Sequence, residues 1–84
     1  MNFGKAIILL KEGKKLQREG WNGKNQYIEL AKEINYLAPS GWKTGVVHED
    51  IGSQAIVFVG TRGRQIGWLA SQADMLAEDW RVAE

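Results

Sequence analysis

AIVFVGTRGRQIGWLASQADMLAEDWRV, residues 55–82, changes pattern four times and so decides the fold. Ala55 to Val59 is apolar at every position, which predicts a strand covered on both faces. Thr61-Arg62-Gly63-Arg64 reads as a turn, and Gln65 to Leu69 as a returning strand with Ile66 and Trp68 on the same side. Ser71 then caps a short helix, with Asp74 at its N3 position as a capping box in which Asp replaces Glu. Met75 and Leu76 are the expected apolar contacts of that helix, and Trp80 belongs to the core. Trp80 and Val82 alternate with Arg81 in a last short strand.

Towards the N-terminus, Asn2 looks like an N-cap, followed by Phe3, Ala6, Ile7 and Leu10 at helical spacing. Lys11, Lys14 and Lys15 suit the negative end of that helix, and Gly13 suits its C′ position. One amphipathic helix is expected near residues 3–12, too short to persist unless its apolar stripe packs on a sheet. Leu16 to Arg18 reads as a strand and Gln26 to Ala31 as another, with Ile28 and Leu30 on one face and Tyr27 and Glu29 on the other. The Asn22-Gly23 turn signal between them predicts a hairpin with Trp21 and Asn22 at its loop. Residues 32–53 are broken by Pro39, Ser40, Gly41, Gly45 and Gly52, and only Val46-Val47 suggests a brief strand. The order predicts an α+β fold: a small antiparallel sheet, an N-terminal amphipathic helix and a short C-terminal helix.

Eighty-four residues make one domain, 1–84, with a small core. Without cysteine, disulfides and thiolate metal sites are excluded, which leaves oligomerisation as the common route to added stability. Eleven Lys and Arg against ten Asp and Glu give a net charge of +1, far from the basic footprint of a duplex-DNA binder. No apolar run is long enough to span a bilayer, and Lys11, Glu12, Lys14 and Lys15 follow the apolar Phe3–Leu10 directly, unlike a signal peptide. A soluble, cytoplasmic protein is expected. Four tryptophans, at 21, 42, 68 and 80, exceed what one small core buries, so one or two are expected at a pocket or subunit interface.

Signs of catalysis are few. His48 is the single histidine, and there is no cysteine to pair with it as a nucleophile. His48-Glu49-Asp50 are consecutive, point in different directions and read as a solvated loop and not as a metal site. Glu78 and Asp79 read as structural residues at a helix end. No catalytic residue, cofactor or metal is expected. Binding features are better represented. Asn22, Gly23 and Lys24 form a polar loop beside Trp21, where a base could stack. Ser71 and Gln72 open a helix just after Trp68, where backbone N–H groups favour anions.

Met1-Asn2-Phe3-Gly4-Lys5-Ala6, Lys14 through Arg18-Glu19-Gly20-Trp21-Asn22-Gly23-Lys24 and Gly67-Trp68-Leu69-Ala70-Ser71-Gln72-Ala73-Asp74-Met75-Leu76-Ala77-Glu78-Asp79-Trp80 resemble the second family of Thoeris anti-defence proteins of phages and prophages. The resemblance covers residues 1–31 and about 55–83, leaving 32–53 unmatched. It implies a sponge that binds a cyclic ADP-ribose isomer intact and so blocks Thoeris immunity in an infected or lysogenic host. It also implies a homo-oligomer, tetramers included, with pockets at subunit interfaces; some relatives hold cyclic oligonucleotides as well. Carried onto this sequence, Trp21 and Trp68 would sandwich or flank the adenine and riboses. Asn22, Ser71 and Gln72 would hydrogen-bond hydroxyls, phosphates or base edges, with Gly23 in the same loop. Asp74 would accept from a ribose hydroxyl or the adenine amine, unless it serves only as a cap. Lys24, Arg62 and Arg64 are the candidate cations for the diphosphate.

Two other readings compete. A single-stranded nucleic-acid module would use the tryptophans as platforms, with Lys24, Lys43, Arg62 and Arg64 along the backbone, and would bind with strong salt dependence. A plain interaction module would use its aromatics for assembly alone.

Overall fold

In a computed structural model of the chain, residues 1–21, 25–32 and 54–83 are described, together with the backbone of 34–37 and 43–46. Helix α1 spans Phe3–Lys11. Asn2 caps it, its side-chain oxygen accepting from the Lys5 N–H at 2.9 Å. Its other end is a Schellman turn: Gly13 sits at φ 91, the Gly13 N–H reaches the Leu10 carbonyl and the Lys14 N–H the Leu9 carbonyl, both at 3.0 Å. Strands β1 (Leu16–Arg18) and β2 (Tyr27–Ala31) follow, then β3 (Ile34–Leu37), β4 (Lys43–Val46), β5 (Ala55–Gly60) and β6 (Gly63–Ile66). Helix α2 (Gln72–Leu76) and β7 (Trp80–Val82) complete the α+β order.

Five strands form one antiparallel sheet in the order β6-β5-β2-β1-β7. The register places Leu16 opposite Ile28 and Val82, Arg18 opposite Trp80, and Ile28 opposite Phe58. One sheet face therefore carries Leu16, Arg18, Ile28, Phe58 and Trp80, and α1 packs against it through Ala6 and Leu10. Ala6, Leu10, Leu16, Ile28 and Trp80 form the buried cluster. The β1–β2 hairpin forms as the sequence predicts, with Trp21 in its connection and Asn25 taking the left-handed conformation at φ 65.

Four departures have local causes. The β6 strand runs from Gly63 to Ile66 instead of Gln65 to Leu69, because Gly67 adopts φ 87 and breaks the alternation. Ile66 is consequently 54% exposed, opposite Val57 on the outer face, while Trp68 turns into the core, so the two do not share a side. On β5 only Val57 is buried and its neighbours are half-buried, so the strand is not covered fully on both faces. Met75 and Leu76 are 47% and 78% exposed, since α2 is one turn long and faces inward through Asp74 and Ala77. In the segment where only Val46-Val47 suggested a strand, β3 and β4 pair as a separate antiparallel hairpin, with Ile34 opposite Val46; Val47 lies outside the described residues.

Candidate ligand-binding site

Three of the four tryptophans meet at one end of the core; Trp42 lies outside the described residues. Trp80 is buried beneath, 2% exposed, and Trp21 and Trp68 are half-buried above it. Trp21 stands edge-on to Trp80 at 5.4 Å, to Phe58 at 5.7 Å and to Trp68 at 6.3 Å between ring centroids. Trp68 meets Trp80 at 6.3 Å, also edge-on. Such contacts fix ring orientations through their quadrupoles as well as by burial. The planes of Trp21 and Trp68 differ by 67°, so within one chain they can flank a planar group but cannot sandwich it. Trp68 is placed by its backbone: both the Gly67 and Trp68 N–H groups donate to the Ile56 carbonyl, at 3.1 and 2.9 Å.

Beside the aromatic cluster lies an ionic clamp. Arg18 Nε donates to Asp79 Oδ1 and Arg18 Nη1 to Asp74 Oδ1, each at 2.9 Å. Asp79 uses its second oxygen to accept from the Gly20 N–H at 3.0 Å, fixing the residue before Trp21. Asp74 uses its second oxygen for the Ser71 N–H at 3.1 Å and the Ser71 hydroxyl at 2.9 Å, closing the capping box. Its backbone carbonyl accepts from the Trp80 indole N–H at 2.9 Å. Strand β1, helix α2, strand β7 and the Trp21 connection thus meet at one guanidinium, whose fork reaches two carboxylates at once.

The clamp sets the protonation states. Asp79 is held below the ordinary carboxylate range by Arg18, with burial opposing and the Gly20 N–H assisting. Burial pushes Asp74 up, but hydrogen bonds from Arg18, Ser71 and the Trp21 side chain together outweigh it and leave it lowered. The same carboxylates, Asp79 before Asp74, raise the Arg18 guanidinium against its burial. A carboxylate lowered on folding adds stability that is present above its unfolded pKa, near 4, and lost as pH falls through the folded value. The urea midpoint should therefore hold from neutrality to about pH 5 and fall steadily below about pH 4. Asp79→Asn should narrow the gap between midpoints measured at pH 7 and pH 3; an unchanged gap would remove Asp79 from this account.

The structure brings Trp21, Trp68, Ser71 and Asp74 to one end of the molecule, with Gln72 exposed on the first turn of α2. Asn22, Gly23 and Lys24 lie outside the described residues, as does the His48-Glu49-Asp50 run. Both oxygens of Asp74 are engaged within the protein, and the capping box uses the N–H groups of Ser71 and Asp74. Arg62 and Arg64 lie at the β5–β6 turn, Arg64 paired loosely with Glu29 at 3.4 Å. Sequence reasoning missed Arg18, Asp79 and Phe58 as parts of this region. A signal existed for Arg18: it shares the inward face of β1 with Leu16, and a charge facing a core must be paired. Among the described residues no group of three metal-ligating side chains converges, and no helix is long and apolar enough to cross a membrane.

Half-exposed indoles over a buried one, with polar side chains held in place around them, make this end of the small α+β domain a candidate binding site. Its family follows from comparison of the sequence with known proteins. The chain matches the Thoeris anti-defense 2-like domain over residues 1–83 and belongs to that family. It is similar to Thoeris anti-defense 2 of Bacillus phage SP01, 36% identical over 83 residues that cover 98% of this chain and 93% of the relative. The match runs through residues 32–53, the part for which the sequence alone showed no resemblance.

Proposed function

We propose that this protein counters Thoeris immunity as a sponge, holding a cyclic ADP-ribose-type signalling nucleotide without degrading it. The observation that carries the reading is the pair of half-buried indoles, Trp21 and Trp68, locked in orientation above Trp80. Each is only half-buried, and stacking of an adenine on an indole contributes about 1–3 kcal/mol per base. Membership of an anti-defence family, and the name of its phage relative, supply the biological setting. Loss of the signal to a sponge needs binding near nanomolar, about −12 kcal/mol. One open surface falls short of that, so the pocket is closed by a second copy. The exposed side chains of Leu69 (89%) and Leu76 (78%), with Ile8 and Met75, are the apolar surface available for such assembly, into a tetramer.

Calorimetric titration with cyclic ADP-ribose isomers tests the reading directly. Tight binding, followed by recovery of unaltered ligand after heat denaturation, is the expected result. Absence of heat with every isomer, or release of a hydrolysed product, would end it. The assembly is tested separately: Leu76→Glu should lower the mass measured by light scattering, and a variant that keeps the wild-type mass would place the interface elsewhere.

A further inference from the structure

We propose that the ionic clamp is itself a ligand contact: the edge shared by Arg18 and Asp79, left open at Gly20, takes a ribose hydroxyl of the bound nucleotide. The inference rests on the sponge reading for its ligand and on the geometry of the clamp for its place. Arg18 has N–H groups to spare. Its Nε donates to Asp79 Oδ1 and its Nη1 to Asp74 Oδ1, while Nη2 has no partner among the described residues. The side chain is still 20% exposed. The two carboxylates differ in what they have left to offer. Asp74 Oδ2 already accepts from both the N–H and the hydroxyl of Ser71, and the side chain is 14% exposed. Asp79 Oδ2 accepts from the Gly20 N–H alone, and that side chain is 31% exposed. The acceptor with room for a ligand is therefore Asp79, and not the Asp74 that the family resemblance implies.

Gly20 keeps this edge open. Among the described residues the glycines at positive φ are Gly13, Gly63 and Gly67, so the backbone at Gly20 does not itself call for glycine. A Cβ there would stand 3.1 Å from Asp79 Oδ2 and 4.0 Å from Arg18 Nη2, covering acceptor and donor together. The turn from Arg18 to Trp21 is closed by the Trp21 N–H on the Arg18 carbonyl at 3.2 Å, which sets the edge next to a half-buried indole. Arg18 and Trp80 are cross-strand partners, and Trp80 meets Trp21 at 5.4 Å, so guanidinium and indole border the same buried ring. Charge decides which part of a nucleotide belongs here. Two carboxylates around one guanidinium leave an excess of negative charge, which repels a phosphate. A hydroxyl is neutral and does both jobs, accepting from Nη2 while donating to Asp79 Oδ2. A base stacked on Trp21 would carry its ribose to this edge.

The test compares a cyclic ADP-ribose isomer with an analogue in which hydrogen replaces the free hydroxyls of the adenosine ribose, in wild type and in Gly20→Ala. Wild type should hold the hydroxylated ligand about 10- to 100-fold more tightly, as expected for hydrogen bonds to charged groups. In Gly20→Ala that ratio should fall towards one. A merely structural role for Gly20 would weaken both ligands alike and leave the ratio unchanged. A ratio near one in wild type, or a ratio kept in Gly20→Ala, would overturn the assignment and leave the sponge reading standing. If wild type binds no isomer, the sponge reading falls, and adenosine then decides for the clamp. Movement of the Arg18 Nε–H resonance with adenosine but not with 2′,3′-dideoxyadenosine would support it. The same response to both, or none to either, would overturn it.

Discussion

Replacing Trp80 with alanine should remove about 3–5 kcal/mol of stability, the largest loss from any single side chain of this core. A domain of 84 residues holds only about 4–13 kcal/mol in total, so the variant is expected to sit close to its unfolding threshold. Two effects combine. The indole is 2% exposed and fills the space between Phe3, Trp21 and Trp68, with ring centroids at 5.3, 5.4 and 6.3 Å. Trp21 and Trp68 are tied by backbone hydrogen bonds to Arg18 and Ile56, which limits their collapse into that volume. The indole N–H also donates to the Asp74 carbonyl at 2.9 Å, tying β7 to α2. Urea unfolding followed by circular dichroism measures the sum, and Trp80→Phe separates the parts by retaining a ring while removing the donor. Wild-type midpoints in Trp80→Ala would mean that the cluster is loosely packed and that Trp21 and Trp68 are held by something else.

How much of this was legible in the sequence depends on the range of the interaction. Local rules found α1 from its spacing and caps, the Ser71–Asp74 box, and the β1–β2 hairpin from an Asn-Gly turn between alternating strands. Rules of the same range missed the bend at Gly67, since a lone glycine in an alternating run reads equally well as strand interior or as a break. They missed β3 and caught β4 only at Val46, because Pro39 and three glycines break the segment and Ile34 to Leu37 is interrupted by Asn35. The clamp was out of reach for a different reason. Arg18 meets partners 56 and 61 residues away, and only the folded register brings them together. Asp74 was legible as a cap and as a possible ligand acceptor. Its engagement with Arg18 and Ser71 fits the cap, and it casts the residue as one that positions Trp80 and α2.

Trp68→Ala should weaken binding of a cyclic ADP-ribose isomer by about 5- to 150-fold, the equivalent of one lost base-stacking platform at 1–3 kcal/mol. The sponge reading and the plain assembly reading part here. If Trp68 serves the ligand, affinity falls while the mass of the assembly stays as in wild type. If it serves only contact between copies, the assembly dissociates, and any loss of affinity follows the loss of mass. Trp68 suits the comparison better than Trp80, because it is half-buried and leaves the Trp80–Asp74 and Arg18 contacts intact. It also suits it better than Trp21, whose ring meets Phe58, Trp68 and Trp80 at once and whose loss would disturb the whole cluster. Trp68→Phe should recover most of the affinity if the ring face is what matters, since a smaller ring still stacks. Recovery of mass without recovery of affinity would instead assign the site to the indole N–H, a donor that no purely structural stack requires.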